Sequence, residues 1–122
     1  MRAGKKTQPS AIDLIVGSWS AQVLSNTITF TVNADGSVYM QSPLDNCVLQ
    51  GQSQLINAGF NLYSFSFTYS SCTGGDAELN GRSGTGLITL DTGTNPLDLV
   101  MGLEVPMPGG PAYLLSAIFT KT

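Results

Sequence analysis

The most regular run in the chain is "TITFTV", residues 27–32, where Ile28, Phe30 and Val32 alternate with Thr27, Thr29 and Thr31. A period of two sends successive side chains to opposite faces of an extended backbone. One face here is apolar and the other carries hydroxyls, which predicts a half-buried antiparallel strand. The period recurs. "SWSAQVL" puts Trp19, Ala21 and Val23 on one face. "NADG" predicts a hairpin turn with Gly36 free to take a positive φ, and "SVYMQS" is the returning strand, ended by Pro43. "NCVLQGQ" reads as a fourth strand and "SQLINA" as the next extended piece. A break near Gly59 separates it from "FNLYSFSFTYS", which sets Tyr63, Phe65, Phe67 and Tyr69 on one face. "GLITLD", "LDLVMGLEV" and "AYLLSAIFTKT" complete the series. Helical pattern is scarce. "PSAIDLIV" suits one short turn, with Ser10 as N-cap and Asp13 near its positive end. In "SSCTGGDAELNGRSG", Gly74, Gly75, Gly81, Gly84 and Gly86 predict turns or a strongly bent strand.

About eight strands joined by hairpin-length connections predict an all-β domain, a barrel or a sandwich. A meander of 122 residues closes most economically as an eight-stranded antiparallel up-and-down β-barrel, which leaves no edge unpaired. The last two strands are apolar on both faces. Leu97, Leu99, Met101, Leu103 and Val105 oppose Val100, and Tyr113, Leu115, Ala117 and Phe119 oppose Leu114 and Ile118. The outside of the barrel is therefore expected to be covered there, either by a homo-oligomer interface through these two strands or by a docked "AIDLIV" segment.

Charge narrows the functions. Only 11% of residues are charged, against about 25% in an ordinary domain. Arg2, Lys5 and Lys6 stand in the first few residues, and only Arg82 and Lys121 follow, against all eight carboxylates. A body this acidic repels phosphate backbones, so no nucleic-acid partner is expected. "MRAGKK" is basic like the start of a secretion signal, but "AIDLIV" is too short for the apolar part and contains Asp13. Residues 1–9 are thus read as a flexible arm remaining after signal removal, and residues 10–122 as one barrel domain. No run is long enough to cross a bilayer as a helix.

The two cysteines, Cys47 and Cys72, fit one disulfide; two buried thiols in a cytosolic protein are the alternative. The hydroxyl-rich, charge-poor composition favours the disulfide and an extracytoplasmic setting: periplasmic, secreted or cell surface. Closing such a loop is worth about 3 kcal/mol in the chain-entropy model. With no histidine and no third cysteine, a tetrahedral metal site has no ligand set, and no metal or cofactor is expected.

Gly17-Ser18-Trp19 opens the first strand after the helical turn. A Gly-x-Trp at that place in a small antiparallel barrel resembles the calycins: lipocalins, fatty-acid-binding proteins and avidins. The resemblance implies that Trp19 plugs one barrel end and packs on the closing strand, and that Lys121 stacks on it as the family's basic residue does. "VGSWSAQVLSNTITFTVNADGSVYMQS" further looks like the opening of an avidin, and "AIFTKT" like its final strand. Avidins stack biotin between tryptophans of later strands, and this chain has none after Trp19, so biotin binding is not implied. Ser25 and Asn26 match polar ligand contacts by position and are equally ordinary turn residues. The Cys47–Cys72 pair is similar to that of small bacterial periplasmic barrels, including protease-inhibitor and lipoprotein domains.

Candidate chemistry is thin. "LDTGT" carries the Asp-Thr-Gly of an aspartic protease, but that mechanism needs two carboxylates sharing a proton, and Asp91 stands in a single copy near the end of the chain. Asp91 reads as a turn residue. Without histidine neither a Ser-His-Asp triad nor a Cys-His pair can form. Asp76 with Glu78, or Asp91 with Asp98, could serve a glycosidase, but each pair lies in or beside a loop. Asp91, Asn95 and Asp98 offer oxygen ligands at a spacing that matches no calcium loop. "GRSGTG" lacks the lysine and the helix of a phosphate loop.

The expectation is therefore a non-enzymatic protein. As a lipocalin-like barrel it would bind a small apolar molecule, with Tyr63, Phe65, Phe67 and Tyr69 as the cavity wall; the more ordinary reading of the stripe is core filling, because a barrel of eight short strands is nearly filled by its own side chains and any cavity is small. The alternative is an interaction module, such as a protease inhibitor or a structural domain of a surface lipoprotein.

Overall fold

The computed structural model describes residues 11–93 and 96–122. The expected arm, residues 1–9, and Ser10, the expected N-cap, lie outside them. Eight strands follow one another: β1 Gly17–Val23, β2 Asn26–Val32, β3 Ser37–Gln41, β4 Val48–Asn57, β5 Leu62–Ser70, β6 Ser83–Asp91, β7 Asp98–Val105 and β8 Tyr113–Lys121. Each pairs antiparallel with the next, and β8 returns to β1 through Trp19↔Lys121 and Ser20↔Thr120, so the sheet is a closed up-and-down barrel. Three short 3-10 turns, Ala11–Leu14, Ala58–Phe60 and Gly74–Leu79, are the helical elements among the described residues.

Alternation sorts the side chains. Trp19, Phe30, Val32, Val38, Met40, Leu49, Ile88, Leu99, Met101, Val105 and Phe119 are buried inside. Outward positions of β1, β2 and β5 are largely Ser, Thr and Gln, as "TITFTV" predicts. Aromatic rings fill the middle of the barrel in a chain of contacts. Phe119 meets Phe30 at 5.8 Å, Phe30 meets Phe65 at 6.1 Å, Phe65 meets Phe67 at 5.4 Å, and Phe67 meets Tyr69 at 5.5 Å. Tilted and edge-on rings at these separations add to the area they bury.

Rings this large need room, and glycine supplies it. Phe65 pairs with Gly86 and Phe67 with Gly84 across β5–β6. A Cβ on Gly84 would lie 2.6 Å from Phe67 Cζ, and one on Gly86 would meet the Phe65 ring and lie 2.7 Å from the Gly102 carbonyl. These two glycines thus sit inside a regular strand. The irregular stretch ends at Arg82, earlier than the sequence suggests, because aromatic partners on β5 cover what the glycines lack. A second difference concerns "NCVLQGQ" and "SQLINA", which form one strand, β4. Ser53 carries the pairing across the boundary between the two: its N–H and its hydroxyl both donate to the Gly36 carbonyl, at 2.8 and 2.7 Å. That satisfies a buried hydroxyl. The register slips only between Leu55 and Asn57.

One barrel end is shut. Trp19 is wholly buried and donates its indole N–H to the Ile15 carbonyl at 2.9 Å. The Lys121 ammonium lies 4.8 Å from the Trp19 ring and donates to the Val16 carbonyl at 2.9 Å. Gly17 is part of the same device. Its φ is +130°, and a Cβ there would take the space of Lys121 Nζ. The 3-10 turn Ala11–Leu14 packs beside β4 at this end. It therefore does not cover the outside of β7 and β8, as one of the two sequence alternatives supposed. Val100, Leu114 and Ile118 stand exposed.

Candidate functional site: the open end of the barrel

The other end is built by the connections β1–β2, β3–β4, β5–β6 and β7–β8, and it is open. Inward side chains are fully buried along most of the barrel, but near this end Ala21, Val23, Ile28, Tyr113 and Leu115 are only half-buried. They surround a cup of about 430 Å³ floored by Met40 and Tyr69 and rimmed by Leu44, Asp45, Thr73 and Asp76. That volume falls within the roughly 300–1,000 Å³ of small-molecule sites.

Local sequence explains the rim. Cys47 and Cys72 are joined in a disulfide that ties the β3–β4 connection to the β5–β6 connection. A second clasp lies beside it: the Thr73 N–H and hydroxyl both donate to the Asp45 carbonyl, at 2.8 and 3.0 Å. Asn80 closes the β5–β6 loop on itself, accepting from the Cys72 N–H at 2.7 Å and donating to the Cys72 carbonyl at 2.9 Å. These ties bring together two carboxyl groups from different loops. The Cys47 N–H donates to Asp45 Oδ1 at 3.0 Å and so fixes that carboxylate. Asp76 shares a hydrogen bond with it, and this bond together with partial burial pushes the Asp76 pKa up to about 6. Below that pH the two acids hold a proton between them, carried by Asp76.

Two phenols look onto the pair. Tyr69 is 3% exposed, and its ring meets that of Tyr113 edge-on at 6.3 Å. Burial, Tyr113 and the nearby Asp45 and Asp76 raise the Tyr69 pKa well above the usual phenol range. Burial and the same two acids raise that of Tyr113. Both hydroxyls therefore stay protonated. Among the described residues the Tyr69 hydroxyl has no hydrogen-bond partner, although it is buried against the cup. A buried polar group without a partner costs stability, and a native fold retains one where something else satisfies it.

The stripe expected as a cavity wall is divided. Tyr63, Phe65 and Phe67 are packed into the barrel below the cup, and Tyr69 alone of the four lines it. Tyr63 lies at the closed end, where burial and Asp13 raise its pKa. Trp19 and Lys121 also lie at the closed end, far from the cup. Sequence reasoning did not find Asp45, Tyr113 or the partnership of Asp45 with Asp76. It coupled Asp76 to Glu78, its chain neighbour, whereas the carboxyl that hydrogen-bonds to Asp76 is that of Asp45; Glu78 is exposed and acts on Asp76 through its charge alone.

The remaining candidates have structural roles. Asp91 Oδ1 accepts the Gly93 N–H at 2.9 Å, as the first residue of a turn does, and Asp91 pairs with Asp98 across β6–β7. Asp98 in turn accepts from the Thr120 hydroxyl at 3.1 Å. Asn95, the third residue considered with them for calcium, lies outside the described residues. In the cup, ligand atoms of Asp45, Asp76 and Cys47 fall within 4.8 Å of one another. The Cys47 sulfur is bonded in the disulfide, so two carboxylates remain, well short of the about six to eight oxygens a calcium ion takes.

Set against protein-family models, curated proteins and solved structures, the chain matches none.

Proposed function

We propose that the chain is a non-enzymatic, calycin-like binding barrel of an extracytoplasmic compartment, which takes a small, mainly apolar molecule into its open end. One observation carries this reading. The aromatic core stops short of one rim and leaves a cup walled by Val23, Ile28, Met40, Leu115 and two phenols, with the Tyr69 hydroxyl buried at its floor and without a hydrogen-bond partner among the described residues. A mostly apolar pocket with a few convergent polar groups is what small-ligand sites share. The Gly-x-Trp and Lys121 stopper supports the calycin resemblance, and a buried disulfide in a small barrel suits an oxidising compartment.

The test is a titration of the isotope-labelled chain with 1-octanol, followed by amide NMR. Shifts concentrated at Met40, Tyr69, Tyr113 and Leu115 are expected, and Met40→Trp, which fills the cup, is expected to abolish them. Shifts spread over the surface, or unaffected by Met40→Trp, would reject the reading.

A specific observation also favours the interaction module. Leu87, Val100, Leu114 and Ile118 are exposed on the outer face of β6–β8. Gly102 leaves a shallow groove of about 720 Å³ between Leu87 and Leu114. The groove exceeds the cup in volume, but it is open and lacks buried polar groups, so it suits a protein surface better than a small molecule. A second copy of the chain, meeting it through β7 and β8, is the occupant proposed here.

A further inference from the structure

We propose that the molecule held in the cup is an organic amine, with its apolar body against Ile28, Met40 and Leu115 and its ammonium group between Asp45 and Asp76 at the rim. This rests on the cup being a ligand site and adds the chemical class. Among the described residues, the cup lining contains two carboxyl groups and no cationic side chain. Arg82, the cation nearest in sequence, is engaged elsewhere, donating to the Glu78 carbonyl at 3.2 Å. Independently of the acids, Tyr69 offers a buried, protonated hydroxyl with no partner among the described residues, whose oxygen can accept an ammonium N–H. The edge-on Tyr69 and Tyr113 rings add faces over which a cation is attracted.

The carboxyl pair explains the preference. Unoccupied, the two acids relieve their repulsion with a proton carried by Asp76. An ammonium group does the same work with three N–H donors; on its arrival the carboxyl proton leaves to solvent and both carboxylates accept from nitrogen. A neutral alcohol of equal length fills the apolar wall but cannot replace that proton. A carboxylate adds a third negative charge. The groups that face Asp76 are Asp45 from the β3–β4 connection, Glu78 from its own turn, and Tyr69 and Tyr113 from β5 and β8. The cup side of β1 and β2 offers Val23 and Ile28, which do not titrate. Above a pH of about 6 the pair is free of its proton and amine binding is strongest. Acidification through 6 makes the ammonium compete with a proton and weakens it.

Calorimetry on the full chain with n-octylammonium chloride, 1-octanol and sodium octanoate tests this, at pH 7.5 and pH 5. Octylammonium stays charged at both, as a lysine head group does. We expect it to bind about tenfold or more tighter than octanol at pH 7.5, in keeping with a charge-assisted hydrogen bond. That advantage should shrink at pH 5, and octanoate should bind worst. Asp76→Asn and Asp45→Asn should each remove the advantage and keep octanol binding, and Asn at 45 still accepts the Cys47 N–H. Equal binding of octanol and octylammonium at pH 7.5 overturns the amine assignment and leaves the cup as an apolar site. So does an advantage that survives both substitutions. Binding of none of the three overturns the cup itself. Calcium chloride binding alone, lost in Asp76→Asn, overturns the amine in favour of a metal.

Discussion

At the scale of single residues, the closed end depends on one glycine making room for one lysine. Lys121 donates to the Val16 carbonyl and lies over the Trp19 ring, in space a side chain at position 17 would occupy. Lys121→Met should therefore cost about 1–2 kcal/mol in urea unfolding, the sum of a half-desolvated cation–π contact and one hydrogen bond. Gly17→Ala should cost at least as much, since its φ of +130° also disfavours a side chain, and should cost less in the Lys121→Met background because the two share one contact. Glycine is not protective everywhere. Gly84→Ala and Gly86→Ala press on Phe67 and Phe65 and should each cost about 1–3 kcal/mol, whereas a Cβ on Gly102 meets nothing within 4 Å and Gly102→Ala should stay within about 0.5 kcal/mol of the parent. Titration gives a further test. Asp76 has a raised pKa, about 6 against 3.8, so the folded chain binds a proton more readily than the unfolded one between those values. Its contribution is full below about 4 and is lost as pH rises through about 6. Asp35 has the opposite sign: hydrogen bonds from Ser37 lower its pKa, so its contribution is lost only on acidification below 3.8. Thermal melts between pH 4.5 and 7 should thus show the parent losing stability relative to Asp76→Asn as pH rises, and parallel curves would contradict the pairing with Asp45.

At the scale of elements, the strands were legible wherever a residue's environment is set by its own alternation. Ile28, Phe30 and Val32 declare their faces without knowledge of any partner, and Gly36 declares its turn by its φ of +88°. Legibility fails where the deciding partner is on another element. Gly84 and Gly86 look like turn residues until Phe67 and Phe65 are laid over them from β5. "SQLINA" looks like a separate piece until Ser53 is bonded to Gly36 in the β2–β3 hairpin. The cup was illegible for the same reason. Asp45 and Asp76 belong to different connections, and the Cys47–Cys72 bond, the Thr73 clasp and the Asn46–Thr73 hydrogen bond make them neighbours. The disulfide therefore has a local task beyond stability. Replacing both cysteines by serine should cost about 3 kcal/mol by chain entropy. It should also abolish the octylammonium preference while leaving Trp19 fluorescence, at the opposite end, unchanged. A double variant that kept full amine selectivity would show that the Thr73 and Asn80 contacts hold the rim without the disulfide.

At the scale of the molecule, β8 returns to β1 through Trp19↔Lys121 and Ser20↔Thr120, which leaves little open edge for another chain, so self-association is expected to use faces. The faces are unequal. Around β1, β2 and β5 the outside carries Ser, Thr and Gln, all strongly hydrated, and a partner there would have to displace water from polar groups for little return. On β6–β8 the pattern reverses. Ile118 stands beside Val100 in the register, Leu114 beside Glu104, and Leu87 beside Gly102. Ile118 is 60% and Leu114 70% exposed, more than their place in a strand requires. The 3-10 turn Ala11–Leu14, the alternative cover for this face, is occupied at the closed end beside β4. A second copy related by a two-fold axis would set the same residues against themselves, as a self-complementary interface demands. Ile118→Lys and Leu114→Lys introduce like charges at its centre without touching the core. Sedimentation equilibrium should show a concentration-dependent dimer for the parent and a monomer for either variant, with unchanged thermal melting of the monomer. A parent that stays monomeric at high concentration would remove the second copy as the occupant of this face, and it would leave octylammonium binding in the cup untouched, since the two sites lie on opposite sides of the barrel wall.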